Sequence, residues 1–83
     1  MDGSAYTRLV RMFIKLRNNA IGHRDEDIWI NTDHISAVFE HPKVDGGGLT
    51  TFVYSVIGNT ITWEVEESAS QVIKLIEEAN AKR

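Results

Sequence analysis

The sequence predicts an α+β domain: an antiparallel β-meander of about five strands with one C-terminal amphipathic helix packed on a face. Three observations lead there. Residues 52–65 form two alternating runs that reverse about Gly58-Asn59. Residues 68–79 begin with capping chemistry and continue with an apolar stripe at helical spacing. Residues 10–41 hold three shorter β-type runs separated by turn-forming residues.

From Val10 to Leu16, the apolar residues Val10, Met12, Ile14 and Leu16 alternate with Arg11, Phe13 and Lys15. A period of two places the first set on the core side of a strand and the second set on the other side. Residues 1–9 precede this strand as an N-terminal extension. Asn18 to Asp27 reads as a loop, with Asn-Asn, Gly22 and an Arg-Asp-Glu-Asp charge run. Ile28-Trp29-Ile30 is a short strand expected to pair back on the first. Asn31-Thr32-Asp33-His34 is turn chemistry, with Asp33 expected to close an Asx-type turn beside His34. The next strand runs from Ala37 to His41, and Pro42 ends it because proline cannot donate to a ladder. Residues 42–50, which contain Gly46-Gly47-Gly48, are expected to be a mobile loop.

The hairpin that follows carries the most specific expectation. Glycine first in a two-residue loop suits the positive φ of a type II′ turn. With Gly58-Asn59 as that loop, Val56 faces Ile61, Tyr54 faces Trp63 and Phe52 faces Val65, so those six apolar residues share the core side. After Glu66-Glu67, Ser68-Ala69-Ser70-Gln71 has capping-box spacing, in which Ser68 and Gln71 satisfy each other's backbone donors. Ala69, Val72, Ile73, Ile76 and Ala79 then make the stripe that is laid on the sheet.

Size and composition bound what this scaffold can do. The chain of 83 residues is one domain with a thin core, since chains this short bury only about 60% of the surface they expose when unfolded. It has no cysteine, so neither a disulfide nor a thiolate metal site stiffens it. No apolar run approaches the ~20 residues that span a bilayer, and the N-terminus lacks a secretory pattern. The expected location is therefore cytoplasmic, with no membrane partner. Net charge is −3, yet Arg8, Arg11, Lys15, Arg17 and Arg24 face only Asp2 within residues 1–24, while residues 25–83 are strongly acidic. Such asymmetry marks either an anion-binding face or two strands of opposite charge lying side by side.

No pattern of catalytic chemistry assembles in the sequence. His23, His34 and His41 lack metal-ligand spacing. No serine sits in a nucleophile elbow, and Asp33-His34 are neighbours in sequence rather than members of a triad. The triple glycine is followed by Leu49-Thr50, not by the Lys-Ser or Lys-Thr of a phosphate-binding loop. Asp25-Glu26-Asp27 lacks the spacing and glycine of a calcium loop. The expectation is a protein that is not an enzyme, with no catalytic, cofactor-binding or metal-binding residues.

Arg11, Phe13, Lys15 and Arg17 are expected to project together from the first strand, placing an aromatic ring among cations. That combination suits protein contact or, as the alternative, single-stranded nucleic acid, where rings stack on bases and cations neutralise phosphates. In the bland alternative, Phe13 packs under the N-terminal segment or a partner while the basic groups meet Glu64 or Glu66. Trp29 is large for so small a core, and an exposed aromatic beside a strand edge favours a homodimer or small oligomer. The partner-binding set read from the sequence is Arg11, Phe13, Lys15, Arg17 and Trp29.

Ile28-Trp29-Ile30-Asn31-Thr32-Asp33-His34-Ile35, followed by Val38-Phe39-Glu40, a glycine-turn hairpin and Val65-Glu66-Glu67-Ser68 running into Gln71-Val72-Ile73, resembles the small FlbD family of flagellar and swarming-motility proteins. Short proteins of phages and mobile elements look similar. The resemblance covers roughly Met12 to Ala79. It implies a small non-catalytic accessory protein of bacterial or phage origin, and it brings no catalytic residues.

Overall fold

The structure, a computed structural model, describes residues 12–81. Arg11 and the extension at residues 1–9 lie outside the described residues, as does Val10 of the first predicted strand. The elements run β1 (Phe13–Arg17), β2 (Asp27–Asn31), a 3-10 turn (Thr32–His34), β3 (Ile35–Pro42), β4 (Leu49–Ile57), β5 (Asn59–Val65) and α1 (Ala69–Ala81). The protein is thus α+β, with five antiparallel strands and a C-terminal helix.

The strands divide into two sheets, β1-β2 and β3-β4-β5. β2 and β3 are not paired, because the 3-10 turn between them redirects the chain. Asn31 caps that turn, its side-chain oxygen accepting from the Asp33 N–H at 2.9 Å. Asn31 thus supplies an Asx-type bond to this turn. The sheets meet instead where the chain leaves β1. Asn18 bridges Val65, the Glu66 N–H donates to the Arg17 carbonyl and the Asn19 N–H donates to the Glu64 carbonyl, both at 2.9 Å.

One core lies on the side shared by both sheets. β1 and β2 supply Ile14, Leu16, Ile28 and Ile30, β4 and β5 supply Val53 and Val65, and α1 supplies Val72 and Ala79. Ile35, Val38, Trp63, Leu75 and Ile76 pack against this cluster. The helix enters as its sequence requires: the Ser68 N–H donates to Gln71 Oε1 at 2.8 Å and the Gln71 N–H donates to Ser68 Oγ at 3.2 Å. Such a reciprocal cap is worth about 1 kcal/mol. The inward stripe is Val72-Leu75-Ile76-Ala79, at i, i+3, i+4 and i+7, with Val72 and Ala79 buried and Leu75 and Ile76 half-buried. Ile73, placed in the stripe from sequence, is exposed, because it lies one residue (about 100°) around the helix from Val72.

The β4-β5 hairpin departs from its expected register by one residue. Ile57 pairs with Asn59 across Gly58, whose φ is +76°, so the reversal is centred on Gly58 alone. Val53 then lies opposite Trp63, Thr51 opposite Val65 and Ser55 opposite Ile61. Trp63 and Val65 keep the core side as expected, but in β4 the core side passes to Thr51, Val53 and Ser55, all buried. Phe52 and Tyr54 turn to the outer face, where Phe39 of β3 meets both. Its ring stacks on Phe52 at 5.5 Å between centroids and meets Tyr54 edge-on at 5.0 Å. A one-residue shift in pairing moves a whole strand set to the opposite face, and the aromatic cluster with Phe39 rewards the shifted arrangement.

Between β3 and β4 the chain is held more closely than a mobile loop over 42–50 implies. Pro42 pairs with Leu49 and His41 with Thr50, so only residues 43–48 connect the strands. The Lys43 N–H donates to the Gly48 carbonyl at 2.8 Å and the Gly47 N–H to Asp45 Oδ1 at 2.8 Å.

Candidate interaction surface

The two backbone bonds that flank the β1-β2 ladder fix its phase. The Asn18 N–H donates to the Glu26 carbonyl and the Thr32 N–H to the Met12 carbonyl, both at 2.8 Å. Antiparallel pairs alternate between bonded and non-bonded, so Ile14-Ile30 and Leu16-Ile28 are bonded pairs whose side chains fill the core. Phe13-Asn31, Lys15-Trp29 and Arg17-Asp27 are the non-bonded pairs, whose side chains come closer on the other face.

That face brings three of the predicted residues together on β1, with Trp29 opposite them on β2. Phe13, Lys15 and Arg17 all project outward, and Trp29 is 56% exposed. Lys15 Nζ lies 5.8 Å from the Trp29 ring centroid, a cation–π contact worth about 0.5–1 kcal/mol at an exposed site. Phe13 is 37% exposed.

Arg17 is drawn from this group toward the junction between the sheets. Its Nη2 lies 3.4 Å from Asp25 Oδ1, and its backbone N–H donates to the Glu67 carboxylate at 3.0 and 3.2 Å. In one reading of the sequence the basic groups meet Glu64 or Glu66. Glu64 is taken by Thr50 Oγ1 at 3.0 Å and Asn19 Nδ2 at 3.4 Å, whereas Arg17 lies near enough to Glu66 to oppose the rise in its pKa, and its ion pair is with Asp25. Asp25 holds φ at +68°, a left-handed conformation that aspartate adopts more readily than most residues.

Glu66 shares this corner. Its pKa is raised, chiefly by a side-chain hydrogen bond with Asp25, then by desolvation and by the negative charge of Asp25, with Arg17 opposing. A raised folded-state pKa means the fold prefers neutral Glu66. Its contribution to stability is complete below the unfolded pKa and is lost as pH rises through the folded one. Glu66→Gln is therefore expected to raise Tm at pH 7, with the gain shrinking once acid protonates the native carboxyl. Melting curves at neutral and acidic pH check this, and an equal gain at both would show that charge is not the cause.

Next to the exposed face opens an apolar depression of about 200 Å3 lined by Phe13, Trp29, His34, Ile57, Ile61 and Trp63. Ile57 and Ile61 flank the hairpin tip and are 61% and 41% exposed. From the alternation Ile61 is expected on the core side, and Ile57 is assigned to no surface; the shifted register and the open hairpin tip leave both exposed. The signal was present, since branched apolar residues on both sides of an exposed turn are out of place unless something covers them. Two further open depressions are more polar. One lies by Glu40, Thr50, Glu67 and Gln71, the other by Arg24, His41, Lys43 and Glu64. His23 bonds Glu26 at 2.9 Å and His41 bonds the Pro42 carbonyl at 3.1 Å. Among the described residues no group of three potential metal ligands gathers, and no helix is long and apolar enough to cross a membrane.

No family model, curated protein or solved structure matches the chain.

Proposed function

We propose that this protein is a non-catalytic interaction or regulatory module that works in the cytoplasm by protein contact, through the surface of Phe13, Lys15 and Trp29 with the adjoining depression. One observation carries the reading: four large apolar side chains, Phe13, Trp29, Ile57 and Ile61, are exposed around a single concavity. Small soluble domains rarely leave such a group uncovered without a use for it. Aromatic anchors in shaped pockets are where binding energy concentrates. The resemblance to FlbD-like accessory proteins supports the same class and a bacterial or phage origin.

The double variant Phe13→Ala/Trp29→Ala is expected to keep its circular dichroism spectrum and to lose about thirtyfold or more in affinity for a protein partner retained from host lysate, the scale of hot-spot truncation. Equal retention by variant and wild type overturns the reading, and loss of the folded spectrum reassigns both side chains to structure.

The nucleic-acid alternative draws on Lys15 lying over the Trp29 ring, which puts a cation beside a stacking surface. Against it, Arg17 already faces Asp25, with Glu66 and Glu67 close by. Titration with single-stranded and duplex oligonucleotides at two salt concentrations separates the readings, because phosphate contacts impose a steep salt dependence.

A further inference from the structure

We infer that the protein forms a symmetric dimer by antiparallel pairing of β2 with β2 of a second copy, centred on Trp29. The inference rests on the interaction reading above and deepens it by naming an edge, a register and a partner.

The phase of the β1-β2 ladder points the backbone N–H and C=O of Ile28 and Ile30 toward β1. The same groups of Asp27 and Trp29, with the N–H of Asn31, therefore point away from it. Among the described residues no strand pairs with that outer side of β2. Exposed edges are normally blunted by lysine, proline, a bulge or a covering element. β3, at the far end of the strand order, has these devices: an irregularity between Ile35 and Ala37, a terminal Pro42, and α1 packed against it. β2 carries no lysine, proline or bulge, and its outward side chains are Asp27, Trp29 and Asn31, with Asp27 the one charge among them.

The five residues Asp27-Ile28-Trp29-Ile30-Asn31 are self-complementary when run antiparallel. With Trp29 opposite Trp29 of the second copy, every outward-bonding residue meets an outward-bonding residue. Asp27 falls opposite Asn31, so a carboxylate meets an amide that donates to it, twice over by symmetry. Ile28 falls opposite Ile30 on the core side. Shifting the register by two residues either way sets Trp29 against Asp27 or against Asn31, and loses both the central tryptophan pair and the two Asp27-Asn31 pairs. Charge and amide complementarity therefore select one alignment and a second copy as its occupant, and the paired Trp29 rings cover each other's exposed area. An isologous contact of this kind closes at two subunits on this edge.

Sedimentation equilibrium of the full chain from roughly 1 to 500 µM tests this, using one variant that repels and one that restores. Asn31→Asp keeps the cap on the 3-10 turn, because aspartate caps as well as asparagine, and it faces carboxylate with carboxylate at both symmetric positions. It is expected to weaken dimerisation on the order of tenfold, two unfavourable cross-strand pairs being involved. The exchange Asp27→Asn/Asn31→Asp recreates the complementary pairing and is expected to recover the dimer. Trp29→Lys, which sets two ammonium groups opposite each other on the two-fold axis, is expected to be monomeric and serves if Asn31→Asp does not fold. A wild type that is monomeric throughout overturns the inference and leaves the edge to a strand of some other protein. A dimer indifferent to Asn31→Asp, or one that the exchange fails to restore, overturns the register. Because Asn31→Asp leaves Phe13 and Trp29 intact, a monomer that still retains a partner separates failure of this inference from failure of the interaction reading.

Discussion

Leu16→Ala is expected to lower the stability of the domain by about 2–5 kcal/mol, the range for truncating a large aliphatic side chain in a packed core. A domain of 83 residues holds roughly 4–12 kcal/mol in total, so the variant stands at the limit of folding. The expectation follows from where Leu16 sits. It is fully buried on β1, in a bonded pair with Ile28, and belongs to the cluster that β4, β5 and α1 complete. With no disulfide available, the sheets are held by this core and by the few backbone bonds where the chain leaves β1. Urea titration followed by circular dichroism measures the loss, and a decrease below about 1 kcal/mol would mean that Leu16 is not at the centre of the core. Lys15→Ala, one residue away on the outward face, is the control. It forfeits only the exposed contact with Trp29 and is expected to change stability by less than about 1 kcal/mol.

The difference between Leu16 and Lys15 was legible from sequence because β1 has only one apolar set that also continues into its neighbour. Ile14 and Leu16 alternate with charged residues, Ile28 and Ile30 repeat the pattern, and both pairs are buried as the period of two requires. The Ser68-Gln71 cap was legible for a different reason: its chemistry is confined to four residues and does not depend on the rest of the fold. β4 offers no such guidance. Phe52, Tyr54 and Val56 occupy one parity, while Val53 among small hydroxyl residues occupies the other. Both faces meet apolar neighbours, and the aromatic partner that decides between them, Phe39, comes from a strand outside the hairpin. Bulk favoured the wrong face because the inner side, under the helix and the second sheet, has room for Thr51 and Ser55 and leaves the large rings outside.

The candidate site divides in the same way. Phe13, Lys15 and Trp29 share a face as alternation along two paired strands dictates, and their proximity is local. Ile57, Ile61 and Trp63 join them only because the 3-10 turn sends β3 back so that the β4-β5 hairpin tip arrives beside β1. That path depends on Asn31 capping the turn, and one capping residue does not reveal the direction in which a strand leaves. Arg17 shows the opposite failure. Its alternation with Phe13 and Lys15 puts it on the outward face of β1, but Asp25, eight residues along in the β1-β2 loop, returns to claim its charge.

Val53→Asp is expected to unfold the protein, whereas Tyr54→Asp is expected to leave it folded with a loss of about 1–2 kcal/mol. Val53 is wholly buried, so aspartate there forfeits the valine's burial and sets a carboxylate among aliphatic groups with no cation opposite it. Tyr54 is half-buried on the outer face, where its principal ring contact is with the edge of Phe39 and a carboxylate can reach water. Had the reversal been centred between Gly58 and Asn59, the two residues would exchange roles and Tyr54 would be the intolerant one. Comparing the two variants by circular dichroism and thermal melting therefore reads the strand register directly. The pair also bears on function. The observed register places Ser55 and Ile61 opposite each other beside Ile57, and these residues line the depression that Phe13 and Trp29 complete. A hairpin slipped by one residue would send Phe52 and Tyr54 inward and rebuild that wall, so the shape of the proposed contact surface and the position of Val53 stand or fall on the same pairing.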